Sequence, residues 1–119
     1  MSRKNELGKR GELLAADFLR QNGYEILHTN WRFEKAELDI IARKDKIIVF
    51  AEVKTRSSDK YGNPEESVSE SKQSHLHRAA EAFIEQNKIT SEIRFDIISI
   101  ILKNNSPLIE HFEDAFFPK

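Results

Sequence analysis

Apolar positions along this chain recur with two periods, one helical and one extended. From Lys4 to Asn22, Leu7, Gly11, Leu14, Phe18 and Asn22 return at helical spacing, and Ala15 and Leu19 widen the stripe. This predicts a first helix, with Gly23 placed to end it. Tyr24–Phe33, Ala36–Arg43 and Ile47–Thr55 then read as three successive strands. A second helix starts between Ser67 and Ser71, any of which can cap it. It turns Leu76, Ala80, Phe83 and Ile84 inward and ends near Asn87. Ile93–Leu102 is almost continuously apolar, which places it centrally in a sheet, and Leu108–Phe112 reads as a final edge strand.

Three strands in succession imply an antiparallel meander. The helix that follows crosses over, so Ile93–Leu102 is expected parallel to Ile47–Thr55. The expected fold is α/β: a mixed sheet with an antiparallel three-strand meander, a crossover helix and flanking helices. The polar, turn-rich stretch Arg56–Pro64 is too short for an interdomain linker, and there is no internal repeat, so residues 1–119 are read as one domain.

Composition narrows the chemistry. There is no cysteine, which excludes disulfides and thiolate zinc sites. The longest apolar run, Ile47–Ala51, is far short of a membrane span, and Met1–Arg10 is polar and charged. A soluble, cytoplasmic protein without a membrane partner is expected. Charged residues make up 33% of the chain, yet the formal net charge is only −1. The chain as a whole is therefore not a basic nucleic-acid binder. Local basic clusters do occur: Arg3, Lys4, Lys9 and Arg10; Lys54, Arg56 and Lys60; Lys72, His75, His77 and Arg78. Alone, such clusters are more often solvated faces than binding sites.

The strands carry the stronger signal. By alternation, Glu37, Asp39 and Ile41 share one face of their strand, and Leu38, Ile40 and Ala42 the other. On the next strand Ile48, Phe50, Glu52 and Lys54 share a face, opposite Ile47, Val49, Ala51 and Val53. A turn centred on Asp45-Lys46 pairs Lys44 with Ile47, and that register carries Asp39 opposite Glu52 and Glu37 opposite Lys54. Directly opposed Cβ atoms lie about 4.5–5.5 Å apart, and two carboxylates so placed repel unless a cation intervenes. Hard oxygen donors at that separation suit Mg²⁺ or Mn²⁺. Lys54 can then orient a water or stabilise charge on a phosphate. The competing meaning is an ordinary amphipathic strand with a Glu37–Lys54 salt bridge, and for Glu-x-Lys alone that is the commoner case.

Glu12 falls on the flank of the first helix's apolar stripe, at the helix–sheet boundary, where it is either a further carboxylate of the site or a solvent-facing helix residue. Lys72 precedes Leu76 by one turn, on the inner stripe of the second helix, as a basic group of the same cleft or a snorkelling side chain. His75 and His77 are two apart and do not share a helix face. No Ser/His/Asp arrangement and no glycine-rich phosphate loop is present.

The stretches Gly8-x-x-Gly11-Glu12-x-x-Ala15 and Gly23-Tyr24-x-Ile26-Leu27-x-x-Asn30-x-Arg32 resemble the start of the YraN-like bacterial proteins. Glu37-Leu38-Asp39-Ile40-Ile41-Ala42 and Val49-Phe50-Ala51-Glu52-Val53-Lys54-Thr55-Arg56 continue the likeness. So do Gly62-x-Pro64-x-Glu66-x-Val68 and Lys72-x-x-x-Leu76-x-x-Ala79, and the match runs from about residue 5 to 86. One departure is Ala36, where that family usually has glycine. The resemblance implies a restriction-endonuclease-like fold, similar to archaeal Holliday junction resolvases. It further implies Glu12, Asp39 and Glu52 as metal ligands and Lys54 as the catalytic lysine. Glu37 and Arg56 match family positions without an assigned role.

Two functions follow as expectations. The first is a Mg²⁺- or Mn²⁺-dependent endonuclease acting on DNA, branched or otherwise structured, with Asp39, Glu52 and Lys54 catalytic and Lys9, Arg10, Arg56 and Lys72 meeting phosphates; by analogy with resolvases it would be a homodimer. The second is a nucleic-acid-binding module that uses the same face without cutting. A protein-binding assembly role for the charged face is a third.

Overall fold

The structure, a computed structural model, describes residues 6–57, 69–103 and 106–116. The predicted elements appear in the predicted order: α1 (Glu6–Gln21), β1 (Glu25–Phe33), β2 (Ala36–Lys44), β3 (Ile47–Arg56), α2 (Glu70–Gln86), β4 (Glu92–Lys103) and β5 (Ser106–Phe112). Arg3, Lys4, Lys60, most of the expected 56–64 loop and the motif from Gly62 to Val68 lie outside the described residues. Local chemistry sets the helix ends. Gly23, at φ 88°, donates its N–H to the Arg20 carbonyl, and Tyr24 donates to Leu19, so two terminal carbonyls of α1 are satisfied. Ser69 caps α2 by accepting the Lys72 N–H at 3.2 Å.

Five strands form one mixed sheet in the order β1-β2-β3-β4-β5. β1 and β2 pair antiparallel, as do β2 and β3, β4 runs parallel to β3, and β5 returns antiparallel as an edge. The crossover through α2 thus delivers β4 to the interior of the sheet, where Phe95 to Ile100 are all buried.

Each face of the sheet takes one helix. Leu76, Ala79, Ala80 and Phe83 of α2 pack with Ile41, Ile48, Phe50, Phe95 and Ile97. Ala15, Ala16 and Leu19 of α1 pack with Ile40, Ala42, Val49, Ala51, Ile98 and Ile100. Strand alternation therefore supplies two cores rather than one. α1 lies close on β3 because Gly11 has no Cβ: one built there would stand 1.8 Å from Thr55 Oγ1. Among the described residues no helix is long and apolar enough to cross a membrane.

One face departs from simple alternation. Leu38, expected beside Ile40 and Ala42, packs instead with Ile41 and Phe50 on the α2 side. Leu38 and Ile41 are three residues apart, so β2 changes phase between them. β1 does the same, since His28 and Trp31 both meet the ring of Phe83, at 5.4 and 5.3 Å. Asn30, between them, sits at φ 53°. A left-handed residue inside a strand rotates the chain, and here the ladder skips from Thr29–Ile40 to Trp31–Leu38, passing over Asn30 and Asp39. The phase change is centred on Asp39.

A second buried polar group ties the sheet's far edge together. Asp96, fully buried, accepts from Arg94 Nε at 2.9 Å, Arg94 Nη2 at 2.8 Å and the Asp114 N–H at 2.9 Å, and lies 2.7 Å from His111 Nε2. Arg94 also donates to Tyr24 Oη at 2.6 Å. These bonds hold the carboxyl of Asp96 below the usual aspartate range against the opposing effect of burial. Strand alternation does not reveal this knot. Its only trace in the sequence was a charged pair two apart in an otherwise apolar strand.

Candidate active site

β2 and β3 pair from their two-residue turn, where Asp45 takes φ 56°, as far as Ile40 with Ala51. This is the register expected from the sequence. Past that pair the strands part. β2 runs back to Ala36 alongside β1, while β3 runs on to Arg56 alongside β4. Asp39 and Glu52 are the first residues beyond the last pair, so the direct opposition expected for them becomes a fork. Asp39 Oδ2 accepts the Val53 N–H at 2.9 Å, closing the ladder with a side chain where β2 no longer offers a carbonyl. Asp39 is 6% exposed and Glu52 4%.

Two lysines, Lys72 and Lys54, interact with these carboxylates, and Arg56 is close enough to Lys54 to act on it. Lys72 of α2 reaches Glu52, with its Nζ 3.1 Å from Oε1. Lys54 lies within the field of Lys72, Glu52, Asp39 and Arg56 together. Burial, then Lys72 and more weakly Arg56, push its ammonium below the ordinary lysine range, while Glu52 and Asp39 pull the other way. Asp39, Glu52, Lys54, Arg56 and Lys72 are thereby brought into one cluster at the carboxyl end of β3. In open α/β sheets, ligands commonly bind at such strand ends. Ser99, buried and the register partner of Lys54 on β4, joins the same neighbourhood; nothing in its apolar sequence surroundings marked it.

The remaining expected residues lie around this cluster. Glu12 is half-buried on α1, next to Gly11, whose contact with Thr55 brings that helix turn to the site's end of β3. Lys9 and Arg10 are exposed on the same helix. Glu37 pairs with Arg32 of β1 at 3.6 Å. Among the described residues no three acidic or histidine side chains form a ready-made metal cage. The donor set at the fork, two buried carboxylates, is nevertheless of the hard kind that a Mg²⁺ or Mn²⁺ ion takes.

A cavity of about 230 Å³ adjoins the cluster, lined by Lys35, Glu37, Ser71, Lys72 and His75 among others. A larger one, about 660 Å³, opens at the opposite end of β3. Its lining mixes Arg43, Lys46 and Lys88 with Asp45 and Glu92, so it concentrates neither sign of charge, whereas Lys72 of the cluster lines the smaller cavity.

Residues 11–100, which include Glu12, Asp39, Glu52, Lys54 and Lys72, match the family described as uncharacterised protein family UPF0102. The chain belongs to UPF0102. This is the YraN-like family that its motifs resemble. A UPF0102 protein of Flavobacterium psychrophilum is 49% identical over 117 residues, covering 98% of both chains. UPF0102 proteins of Bacteroides thetaiotaomicron, 44% identical over 99% of this chain and 98% of the relative, and of Caldicellulosiruptor bescii, 49% identical over 93% and 97%, are similar at nearly full length.

Proposed function

We propose that this UPF0102 protein is a metal-dependent endonuclease of restriction-endonuclease-like fold, hydrolysing phosphodiester bonds in branched or otherwise structured DNA. The observation that carries the reading is the fork itself: two buried carboxylates, Asp39 and Glu52, where paired strands separate, with Lys54 two residues on. Burying two like charges side by side is costly without compensation, and solubility does not require it.

Asp39 and Glu52, with Glu12 directly or through water, would hold one Mg²⁺ or Mn²⁺ ion. When bound, such an ion supplies Lewis acidity toward phosphate and acidifies water. The protein's own groups do the rest. Asp39 keeps its geometry through the Val53 N–H. Lys54 orients the attacking water and offsets negative charge as it grows on the phosphate. The water oxygen forms the new bond to phosphorus, one sugar oxygen leaves, and that oxygen takes up a proton. Lys9, Arg10, Arg56 and Lys72 are assigned to backbone phosphates, so affinity falls as salt rises.

One observation favours a second reading. Glu52 already has a cation, Lys72, at 3.1 Å. A fork compensated in this way also serves a module that binds nucleic acid without cutting it. Incubation of the protein with linear, nicked, flapped and four-way DNA, with Mg²⁺, Mn²⁺ or chelator, separates the two. Cleavage of at least one substrate that stops with chelator supports the nuclease. Salt-sensitive binding with no cleavage in either metal supports the module.

A further inference from the structure

We infer that Lys72 is the exchangeable counter-ion of the Asp39–Glu52 fork, a side chain that neutralises Glu52 until a divalent ion takes its place and then turns to a phosphate of the substrate. The inference rests on the reading of the fork as a metal-binding nuclease site.

The competition is geometric. Lys72 Nζ lies 3.1 Å from Glu52 Oε1, the carboxylate that a metal would use. Two cations cannot share that oxygen without strong repulsion at such separations. The two partners are also unequal. The Glu52 side chain is 5% exposed and fixed on a central strand, whereas Lys72 is 40% exposed at the end of a flexible four-carbon stem. The lysine is therefore the partner that moves. Its backbone stays in place, because its N–H is held by the Ser69 cap at 3.2 Å.

The destination is adjacent. Lys72 itself lines the 230 Å³ cavity, together with Lys35, Ser71 and His75. Ammonium, hydroxyl and imidazole groups are donors suited to phosphate oxygens. The one carboxylate in that lining, Glu37, lies 3.6 Å from Arg32, beyond hydrogen-bond distance, so Arg32 offsets its charge only in part. Displacement of Lys72 from Glu52 thus adds a cation to a wall already equipped to take a phosphate. It also couples the two ligands. Metal frees the lysine for DNA, and by linkage DNA that engages the lysine raises metal affinity by the same factor.

The test is Mn²⁺ binding to the full chain by titration calorimetry, without DNA, for the wild type, Lys72→Met, Lys72→Gln, Lys72→Arg and Arg56→Met. Removing a partly exposed ion pair that competes with the metal is expected to tighten Mn²⁺ binding about three- to tenfold in Lys72→Met and Lys72→Gln. Lys72→Arg keeps the cation and should stay within about twofold of the wild type. Arg56→Met removes a charge from the same cluster and should tighten binding clearly less than Lys72→Met. With Mn²⁺ saturating, Lys72→Met should bind four-way DNA several-fold more weakly than the wild type. Unchanged or weaker Mn²⁺ binding in both Lys72→Met and Lys72→Gln overturns the inference while leaving the metal site standing. Equal tightening in Arg56→Met overturns it too, since a general field effect would then suffice. If the wild type binds no Mn²⁺ at all, the metal reading falls and the inference with it.

Discussion

Single side chains here are constrained by what crowds them. Gly11 has no conformational need for glycine; it is required because α1 lies on Thr55. An added Cβ would meet Thr55 Oγ1 at 1.8 Å and the Thr55 Cβ and Cγ2 at 2.7 Å. Gly11→Ala should gain about 1 kcal/mol in helix propensity and lose more than that, up to about 3 kcal/mol, to overpacking, for a net destabilisation of up to about 2 kcal/mol. Denaturant unfolding measures this, and Thr55→Ala should restore part of the loss by removing the nearest atom. Wild-type stability in Gly11→Ala would show that the helix does not approach so closely. Because Glu12 is the next residue, any lift of α1 also moves the carboxylate proposed as the third metal ligand, so on the proposed function the variant should lose activity beyond its loss of stability.

At the scale of elements, the fork depends on a coordinated irregularity in two strands. Asn30 takes φ 53° in β1 where the ladder passes over it and Asp39. Asparagine tolerates the left-handed region, and a β-branched residue does not. Asn30→Val should therefore destabilise the protein by about 1–3 kcal/mol, and Asn30→Gly should be close to neutral. If valine is as well tolerated as glycine, the left-handed turn of the strand is wrong. This irregularity also marks how far the sequence could be read. The β2–β3 register followed from the turn at Asp45-Lys46, and the central, parallel place of β4 followed from its apolar run. Both are averages over many residues, which periodicity reports well. The face of Leu38 was misassigned, because β2 changes phase between Leu38 and Ile40, and strict alternation contains no signal for such a break. The approach of Lys72 to Glu52 was legible only as a shared cleft, since the packing of α2 on the sheet is a tertiary fact. The knot around Asp96 left only a charged pair in an apolar strand as its trace, because its other partners come from the residue before β1, from β5 and from the turn after β5.

For the molecule as a whole, that knot should set acid stability, while the proposed activity belongs to the fork. Asp96 has its folded-state pKa lowered by His111, Arg94 and the Asp114 N–H, despite burial. A carboxylate whose pKa is lowered on folding stabilises the native state fully above its unfolded value, about 3.9. That contribution is lost as pH falls through the lower folded value. Asp96→Asn should cost about 3–5 kcal/mol at neutral pH, since it leaves Arg94 without its buried partner. It should also flatten the fall in melting temperature on acidification below about pH 4. An unchanged acid limb in the variant would remove Asp96 as its source. The fork is tested separately, by single-turnover cleavage of whichever structured DNA the wild type cuts in Mg²⁺ or Mn²⁺. The rate for Asp39→Asn should fall by about a hundredfold or more, with DNA affinity held within about twofold, because the lost carboxylate serves the reaction and not the phosphate contacts. Cleavage by Asp39→Asn at a rate within threefold of the wild type would contradict a metal-dependent nuclease site at the fork.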